Sequence, residues 1–345
     1  MNRIGVLTSG GDAPGMNAAV MAVAKAARRL GMSLIGIKRG YNGALNIEQN
    51  GMAELDLDTV LDIADQPGTY LRTARCLEFL KPEMQQQAAK NIRDMGIEGV
   101  IVIGGDGSFK GAQALCNLGV PCVGIPGTID NDLPYTEMTL GYDSAVNSCV
   151  DDIRAIRATS RSHDRPAVVE VMGRHCGDIA LKAAAGTGAE ICIVPEVEWS
   201  IPEVTKRLSH LIDEGNPRAT VVIAEGAFDA MEEYDWKTVL REHNLIVHDD
   251  DTFSTRFLTR VLRCLTGCEA RTTVLGYIQR GRQPSAYDSW FAFEAGNMAV
   301  NLLRNGISNQ VIGIKYGRVF CLPIHMALKD KREFNRDLYD MINEL

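Results

Sequence analysis

Three aspartates lie in glycine-containing turns that follow short apolar runs, which is a costly place for a charged side chain without a partner. Asp106 lies in GGDGS (104–108), and Asp130 and Asp132 lie in PGTIDND (126–132). Glycines at the end of a strand let backbone N–H groups approach an anion such as phosphate. A carboxylate among phosphates repels them unless a cation lies between, so Asp106 indicates bound Mg²⁺. The three acids therefore indicate phosphoryl transfer.

The second and third of these acids are two positions apart. If the chain is extended there, both carboxylates lie on the same side of the backbone. One can then accept a proton from a substrate hydroxyl while the other helps to hold a metal ion. Phosphoryl transfer needs little more from a protein than such a base, charge neutralisation and an in-line arrangement. The alternative is an Asx-turn that only satisfies backbone groups. The nearby GGDGS loop, in the same βαβ unit, favours the catalytic interpretation.

A second glycine-rich turn occurs near the N-terminus, in SGGDAPGMNAA (9–19). Gly10 and Gly11 lie between a strand-like run and a helix-like segment, where the helix N-terminus adds a potential favourable to anions. The alternative is a tight turn without a ligand. In the GGDGS loop, Ser108 could cap the following helix or donate a hydrogen bond to a phosphate. Loops of this kind also resemble those of NAD kinases and lipid kinases, so they indicate nucleotide phosphates without defining one enzyme.

Several arginines and one further acid lie near the predicted ends of strands. The arginines are Arg75, Arg165, Arg174, Arg271 and Arg280. A guanidinium group can bind two phosphate oxygens at once, so arginines at these turns of an acidic protein indicate phosphate recognition. A solvated surface side chain is the alternative for each of them. Glu225, at the end of TVVIAE, could accept hydrogen bonds from sugar hydroxyls.

The elements that must position these residues follow a repeated pattern. A run rich in valine and isoleucine, a glycine turn and a helix-like stretch recur at 4–30, 99–119 and 167–187. Further strand-like runs lie at 33–38, 121–126, 191–196, 220–226, 272–278 and 311–317. Continuous apolar runs suit strands covered on both faces, hence a mainly parallel sheet. The alternation predicts the α/β class with two doubly wound, Rossmann-like domains. Ligands then bind outside the carboxyl ends of the strands.

The chain of 345 residues is long enough for two such domains. The sequence pattern changes at 142–165, which is predicted to form a helix. We place the boundary between the two domains just before it. The polar segment 228–265 is predicted to be a surface insertion that contains a helix at 255–265. Its HDDD tetrad (248–251) is interpreted as a solvated loop, with a divalent ion site as the alternative. The tail, 329–345, is predicted to form one charged amphipathic helix.

Composition excludes several classes of function. The net charge of −8 and the absence of a long basic run argue against nucleic acid or an anionic membrane as the main partner. No signal-like segment and no run of 18 apolar residues occurs, so we expect a cytoplasmic protein. The nine cysteines include no C-x-x-C pair and are interpreted as buried thiols. The six histidines show no metal-binding spacing.

Taken together, the motifs SGGDAPGMNA, GGDGS, PGTIDND, VEVMGRHCGDIAL and VLGYIQRG resemble those of bacterial ATP-dependent 6-phosphofructokinases in order and approximate spacing. The resemblance covers almost the whole chain. It implies phosphorylation of fructose 6-phosphate at its 1-hydroxyl by MgATP, the committing step of glycolysis. It also implies a homotetramer with active sites shared between subunits. Residues 1–141 with 280–329 would form the ATP-binding domain, and residues 142–279 with 330–345 the sugar-phosphate-binding domain.

The resemblance also implies roles for individual residues. Those that contact ATP would be Gly11, Arg75, Cys76, Gly105, Asp106, Gly107 and Ser108, with Asp106 on Mg²⁺. The catalytic residues would be Asp130, which acts as the base, together with Thr128, Asp132 and Arg174. Substrate binding would involve Thr128, Ile129, Asp130, Met172, Gly173, Arg174, Glu225, Tyr277, Ile278 and Gln279. Arg165 and Arg271 would reach the 6-phosphate in the neighbouring subunit's site, and Arg280 would reach it from its own chain.

Two glycines bear on the phosphoryl donor. Pyrophosphate-using relatives typically carry an acid where Gly107 stands and a lysine where Gly127 stands. An acid at 107 would crowd and repel the α-phosphate of ATP, so glycine at both positions favours ATP. A pyrophosphate-dependent enzyme is the nearest alternative. A non-catalytic sensor of nucleotide or sugar phosphate is the alternative of another class, and the retention of all three aspartates argues against it.

The sequence departs from the family pattern in three places. One is RGRQP (280–284), which replaces the usual RGGSP and makes the loop less flexible. Tyr277 stands where the family usually has histidine, and a phenol cannot become cationic near pH 7. In the regulatory site, Met21, Glu214 and Asn216 stand where basic residues are common, although Lys25 and Arg157 remain. With fewer cations, a phosphate-bearing effector should bind weakly. We therefore expect little activation by ADP and little inhibition by phosphoenolpyruvate.

Overall fold

The computed structural model describes residues 1–46, 51–231, 253–329 and 332–344. The chain divides into two compact units. The first comprises Met1–Ala145 and Arg280–Glu333, and the second comprises Val146–Gln279 and Phe334–Leu345. Both units therefore combine separated stretches of the chain. Their assignment to ATP and to sugar phosphate remains a prediction.

The strands are β1 (Arg3–Thr8), β2 (Ser33–Ile37), β3 (Met52–Glu54), β4 (Val100–Gly104), β5 (Cys122–Pro126), β6 (Ala167–Val171), β7 (Ile191–Ile193), β8 (Thr220–Ala224), β9 (Arg271–Val274), β10 (Gln310–Lys315) and β11 (Arg318–Pro323). The helices are α1 (Met16–Arg29), α2 (Tyr41–Leu45), α3 (Leu57–Asp62), α4 (Pro82–Asp94), α5 (Asp106–Asn117), α6 (Tyr142–His163), α7 (Asp178–Thr187), α8 (Ile201–Asp213), α9 (Thr255–Thr266), α10 (Ala286–Arg304), α11 (Ile324–Ala327) and α12 (Arg336–Asn343). Strands and helices alternate along the chain, as the sequence predicted for the α/β class.

The first unit is built on a seven-stranded sheet in the order β11-β10-β5-β4-β1-β2-β3. The five consecutive strands from β10 to β2 run parallel. All five residues of β4 and of β5 are buried, which fits the prediction that continuous apolar runs are covered on both faces. Helices α1 and α10 pack closely, since a Cβ atom at Gly296 would lie 2.6 Å from the Cβ of Ala22.

The two edge strands of this sheet are antiparallel and were not predicted. Strand β3 pairs with β2, and β11 pairs with β10. The hairpin between β10 and β11 turns at Tyr316 and Gly317, whose φ angles of 51° and 67° are those of a tight left-handed turn. Tyrosine is an unusual residue for such a turn, so the sequence gives little signal for the hairpin.

The second unit contains a four-stranded parallel sheet in the order β7-β8-β6-β9. The predicted strand 272–278 is wrong at its C-terminal half. Strand β9 ends at Val274, and a short 3-10 helix spans Gly276–Arg280. The φ angle of 53° at Gly276 ends the extended backbone. The side chain of Gln279 then stabilises the turn by donating to the carbonyl of Gly276 at 2.9 Å.

The C-terminal helix is shorter than predicted. It spans only Arg336–Asn343 because Asn335 caps it, accepting a hydrogen bond from the backbone N–H of Leu338 at 3.1 Å. Residues 332–335 before it are not helical. The predicted helix at 255–265 is present as α9. Most of the predicted insertion, including the HDDD tetrad, lies outside the described residues.

All nine cysteines are free thiols, four of them buried and five partly buried. In the described part of the chain, no helix combines the length and the apolar character needed to cross a membrane.

Candidate active site

The glycine-rich loops of the first unit leave the carboxyl ends of three neighbouring strands. Strands β5, β4 and β1 are adjacent in the sheet, and the order along the chain reverses between β1 and β4. Such a reversal opens a crevice outside the strand ends, which is where open α/β sheets bind ligands. The loops after β1 and β4 flank this crevice, and the loop after β5 lies next to it.

The loop after β1 is held by two contacts with distant segments. Gly10 has a φ angle of 93°, and its carbonyl accepts a hydrogen bond from Oγ1 of Thr73 at 2.7 Å. Nη1 of Arg280 donates to the carbonyl of Asp12 at 2.6 Å. A Cβ atom at Gly11 would lie 3.1 Å from the same Nη1 atom. A Cβ atom at Gly11 would therefore require the end of the Arg280 side chain to shift by a few tenths of an ångström.

The loop after β4 leads directly into helix α5. A Cβ atom at Gly104 would lie 2.4 Å from Oγ of Ser108 and 2.5 Å from the carbonyl oxygen of Ser9, so only glycine fits. The helix begins at Asp106 after Gly105, which caps it without a side chain. The predicted capping role of Ser108 is wrong, because Ser108 lies buried within the first turn. The unpaired N–H groups at this helix start can bind an anion.

Asp106 already lies next to a cation. Nζ of Lys110, one helical turn later, is 2.6 Å from Oδ2 of Asp106, and both side chains are exposed. Because the carboxylate is exposed, a hard cation can reach it at the site where Mg²⁺ is predicted, in competition with Lys110. No cluster of three metal-binding side chains exists among the described residues. An ion held by Asp106 would therefore take its other ligands from phosphate and water, which suits Mg²⁺.

The loop after β5 is bent and not extended as predicted. Asn131, between the two aspartates, has a φ angle of 51°, a conformation that asparagine tolerates better than most residues. Its Oδ1 atom accepts from the backbone N–H of Thr139 at 3.0 Å. Oγ1 of Thr128 accepts from the N–H of Asp130 at 3.2 Å. The loop therefore has a defined shape, set by local bonds and by Thr139.

The loops after β4 and β5 lie close together. The N–H of Gly127 donates to the carbonyl of Gly104 at 3.0 Å. A Cβ atom at Gly105 would lie 3.8 Å from the Cβ of Thr128. Ile129 is fully buried, so its side chain packs in the interior. Nη2 of Arg280 lies 4.0 Å from Oδ1 of Asp130, and both side chains are largely buried. The structure thus brings the predicted base, the glycine loops and one predicted arginine together.

Arg75 and Cys76 lie in the segment that Thr73 connects to the loop after β1. Arg75 is exposed, and Cys76 precedes a 3-10 helix at Leu77–Leu80. Burial raises the pKa of the Cys76 thiol, so it is a neutral thiol near pH 7. Its predicted contact with ATP would therefore be one of packing and not of charge.

In the second unit, the turn after β6 presents Arg174. Gly173 and Arg174 have φ angles of 140° and 57°. The N–H of Arg174 donates to Oε1 of Glu225 at 2.8 Å, which fixes these two predicted sugar ligands beside each other. A Cβ atom at Gly226 would lie only 1.9 Å from the carbonyl oxygen of Arg174. This close approach requires glycine at position 226. Met172, at the start of the same turn, is partly buried.

The predicted phosphate ligands Arg165 and Arg271 share one acidic partner. Nη1 of Arg165 lies 3.8 Å from Oε2 of Glu269, and Nη2 of Arg271 contacts Oε1 of the same carboxylate. Glu269 was not predicted. Its position two residues before Arg271, on the same side of an extended chain, was the available signal.

Three predicted substrate-binding residues lie in the 3-10 helix at 276–280, and they differ in their exposure to solvent. Tyr277 and Ile278 are exposed, with 82% and 52% of their surface accessible. Gln279 is fully buried, and its Oε1 atom accepts hydrogen bonds from the N–H of Met172 and the thiol of Cys149. The side chain of Gln279 thus positions the turn after β6.

With this geometry in place, comparisons with known proteins define the family. The phosphofructokinase family matches residues 3–303. The chain belongs to the phosphofructokinase family. A relative from Clostridium acetobutylicum, named ATP-dependent 6-phosphofructokinase, is 45% identical over 345 residues, covering 100% of this chain and 99% of the relative.

Solved phosphofructokinases share the fold. The structure from Saccharomyces cerevisiae matches with a TM-score of 0.81 and 31% identity, covering 95% of this chain and 45% of that one. This chain thus spans less than half the length of the yeast chain. A pyrophosphate-dependent phosphofructokinase from Marinobacter aquaeolei matches with a TM-score of 0.79 and 19% identity, covering 99% and 91%. At that identity the likeness concerns the fold alone, and the fold does not decide the phosphoryl donor.

In this phosphofructokinase family member, Lys110 is a further residue that the sequence analysis missed. Its spacing of four from Asp106 on a helix was the available signal, because side chains at that spacing meet on one face. The contact of Arg280 with the carbonyl of Asp12 had no such signal, since the two residues are 268 positions apart.

Proposed function

We propose that this chain transfers the terminal phosphoryl group of MgATP to the 1-hydroxyl of fructose 6-phosphate, which gives fructose 1,6-bisphosphate and ADP. The observation that carries the proposal is the placement of Asp130 beside Arg280, next to the glycine loop that opens helix α5. The family membership and the full-length likeness to an ATP-dependent relative support it.

Asp130 is proposed to accept the proton of the 1-hydroxyl as its oxygen attacks phosphorus. The backbone N–H groups at the start of α5 receive the phosphates of the donor. Arg280, which the resemblance assigned to the 6-phosphate, lies beside Asp130 in this structure, and we propose that it also offsets the negative charge that gathers at the reacting groups. Mg²⁺ bound at Asp106 would supply further neutralisation of the phosphate oxygens. Thr128 shapes the loop that carries the base.

The sugar phosphate is proposed to bind residues of the second unit. Glu225 and Arg174 form one pair in the chain's own site, and Arg165 with Arg271 supplies two guanidinium groups for the 6-phosphate in the site that the resemblance places on the neighbouring subunit. Glu269 keeps these two like charges close together. The homotetramer, the sharing of sites between subunits and the cytoplasmic location stay predictions.

ATP is favoured over pyrophosphate as the donor by the space at Gly107. A Cβ atom there would meet no other atom within 4 Å, so the loop leaves room for the rest of a nucleotide. At Gly127, a Cβ atom would lie 3.0 Å from Cγ2 of Ile103 and 3.1 Å from Cε of Met16. The lysine typical of pyrophosphate-using relatives would not fit there without movement of these neighbours.

Steady-state kinetics with each donor test the proposal. With fructose 6-phosphate, ATP should give ADP at a kcat/KM far above the value for pyrophosphate, and ADP added as an effector should change little. A higher kcat/KM with pyrophosphate would establish the alternative donor. Absence of turnover with both donors, but binding of ATP, would indicate the non-catalytic sensor.

A further inference from the structure

A second concave site in the first unit is rich in positive charge. It has a volume of about 510 Å³ and lies beyond the carboxyl end of β2. Its lining includes three cationic side chains, Lys38, Arg39 and Arg72, and three neutral polar ones, Asn42, Asn46 and Tyr70. It shares no residue with the predicted ATP contacts. The proposed reaction therefore leaves this basic pocket without a role.

The three cations of the basic pocket lack a counter-charge in the part of the chain that the structure describes. None of them forms an ion pair with a described acidic residue, and no described acidic side chain lines the pocket. Arg39 and Arg72 are exposed, so solvent screens most of the repulsion between these charges. An anion that carries several charges would still gain from contacting all three cations at once.

Both arginines also adopt a backbone conformation that costs energy. The φ angles of Arg39 and Arg72 are 60° and 57°, in the region that favours glycine. Non-glycine residues held in this conformation occur preferentially where a ligand or a catalytic group must be positioned. Here two of them present guanidinium groups to the same cavity.

The strained segments are held by bonds to each other and to β1. The N–H of Arg39 donates to the carbonyl of Leu71 at 2.8 Å. Oγ1 of Thr8, the last residue of β1, donates to the carbonyl of Arg72 at 3.0 Å. The basic pocket is therefore preformed and does not depend on a ligand to assemble it.

Two glycines that line the basic pocket lie in closely packed backbone. A Cβ atom at Gly43 would lie 2.1 Å from the carbonyl oxygen of Lys38, and one at Gly51 would lie 2.5 Å from the carbonyl oxygen of Gly43. The N–H of Lys38 donates to the carbonyl of Gly51 at 2.7 Å. These contacts require glycine at both positions and hold the backbone that carries Lys38 in place.

We propose that the basic pocket binds the phosphate chain of a polyphosphorylated small molecule, at a site separate from the predicted ATP site. Two guanidinium groups can each hold two phosphate oxygens, and the lysine and amide groups supply further donors. The volume is in the range of small-molecule sites. The phosphate chain could belong to free polyphosphate or to a nucleotide, and the proposal does not depend on the proposed reaction.

The double variant Arg39→Gly/Arg72→Gly tests the proposal. It removes two charges and relieves the backbone strain, so it should fold and unfold at a higher temperature than the wild type when no ligand is present. In isothermal titration of the full chain with inorganic triphosphate, the variant should bind one triphosphate fewer per chain, or bind it about tenfold or more weakly at one site. Equal numbers of sites with equal affinities would overturn the proposal.

Two controls and a second ligand complete the experiment. Arg39→Lys/Arg72→Lys keeps the charges but loses the bidentate geometry, so it should bind triphosphate more weakly than the wild type and more tightly than the glycine variant. Tyr316→Gly relieves the same kind of strain at a φ angle of 51° outside the pocket, so it should raise the unfolding temperature without changing triphosphate binding. Loss of that binding in Tyr316→Gly would overturn the proposal. Titration with a non-hydrolysable ATP analogue then identifies which ligand carries the phosphate chain. If the double glycine variant loses a binding site for the analogue as well as for triphosphate, the pocket binds nucleotide. If it loses a site for triphosphate alone, the pocket binds free polyphosphate.

The readout also separates this proposal from the proposed function. Triphosphate sites are counted without fructose 6-phosphate and without turnover. An inactive chain that still loses one site in the double variant would refute the kinase proposal alone. An active kinase in which the count does not change would refute the basic pocket alone.

Discussion

Arg280 and Asp130 lie 4.0 Å apart, between Nη2 and Oδ1, although 150 positions of sequence separate them. The same guanidinium group donates to the carbonyl of Asp12 at 2.6 Å. One side chain thus connects the loop after β1 with the loop after β5. The connection places a positive charge beside the proposed base and makes the position of Arg280 depend on both loops.

Replacing Asp130 by serine should remove the base and leave the donor loops intact. We expect kcat to fall by roughly 10²–10⁴-fold, the usual contribution of a positioned base. The dissociation constant of ATP, measured by titration calorimetry, should stay within about threefold of the wild-type value. Normal turnover by Asp130→Ser would show that the base assignment is wrong.

Gly107→Asp should weaken the use of ATP without disturbing the fold. The added Cβ atom enters open space, so the unfolding temperature should hardly change. The carboxylate should repel the donor's α-phosphate and lower kcat/KM for ATP by about tenfold or more, that is by 1.4 kcal/mol or more. Gly107→Ala is the matched control, because it adds the Cβ atom without charge. An equal loss in both variants would show that size and not charge is responsible.

The buried carboxylate of Asp288 should make stability depend on pH. Burial raises its pKa to about 6, although it accepts hydrogen bonds from the N–H groups of Gly141 and Ser144 and from the Ser144 hydroxyl. The folded-state pKa exceeds the ordinary value of 3.8, so the folded protein binds the proton of Asp288 more tightly than the unfolded chain does. Protonation of Asp288 therefore stabilises the folded state. This stabilisation is complete below about pH 4 and is lost as pH rises through 6. It amounts to about 3 kcal/mol for a shift of this size.

Urea unfolding of the wild type and of Asp288→Asn, each between pH 4 and pH 7, isolates this contribution. The asparagine variant cannot ionise at position 288, so all other titrating groups cancel in the comparison. The wild type should gain stability relative to the variant as the pH falls. A difference between the two proteins that is independent of pH would contradict the assignment.

The regulatory prediction concerns ADP and phosphoenolpyruvate. Arg157, one of the two remaining basic residues, forms hydrogen bonds of 3.0 and 3.1 Å with both carboxylate oxygens of Glu190. The same carboxylate also accepts from Asn216 and from the N–H of Thr220. This guanidinium is thus committed within its own unit. Fructose 6-phosphate saturation curves should therefore change little when either effector is added. A strongly sigmoidal curve that ADP abolishes would contradict this.

Tyr277→His should introduce a pH dependence into the binding of the sugar phosphate. Tyr277 is exposed at the 3-10 helix, so the substitution should be tolerated. An imidazole gains its positive charge below about pH 6.5 and should then lower KM for fructose 6-phosphate. The ratio of KM in the variant to KM in the wild type should thus fall between pH 8 and pH 6. Tyr277→Phe provides the uncharged control, and a constant ratio would count against contact with the phosphate.

Much of the fold was predictable from the sequence because the buried strands are short and continuously apolar. Strands β4 and β5 show this clearly, and the glycine loops after them were placed correctly at the carboxyl ends. Strand β11 is only partly buried, and its pairing depends on a turn at Tyr316 that cannot be predicted from the residue types there. The edge of a sheet carries little apolar signal, so such strands are hard to predict.

The sequence was enough to identify candidate functional residues, but not the residues that they contact. Asp106 and Asp130 could be identified from their loops. The bend at Asn131 could not, because it depends on the contact with Thr139. The role of Glu269 likewise could not be predicted, because it depends on the contact with Arg165. Contacts between distant parts of the chain set the conformation of these sites, and a local pattern does not contain them.

The order in which the sheet of the first unit is completed has a consequence for synthesis on the ribosome. Strand β10 pairs with β5, but it leaves the ribosome only after the whole of 146–279 has been made. During that time the edge of β5, apolar and fully buried in the finished protein, has no partner strand. Exposed edges of this kind invite pairing with other chains. The nascent chain is therefore open to such pairing until β10 has emerged.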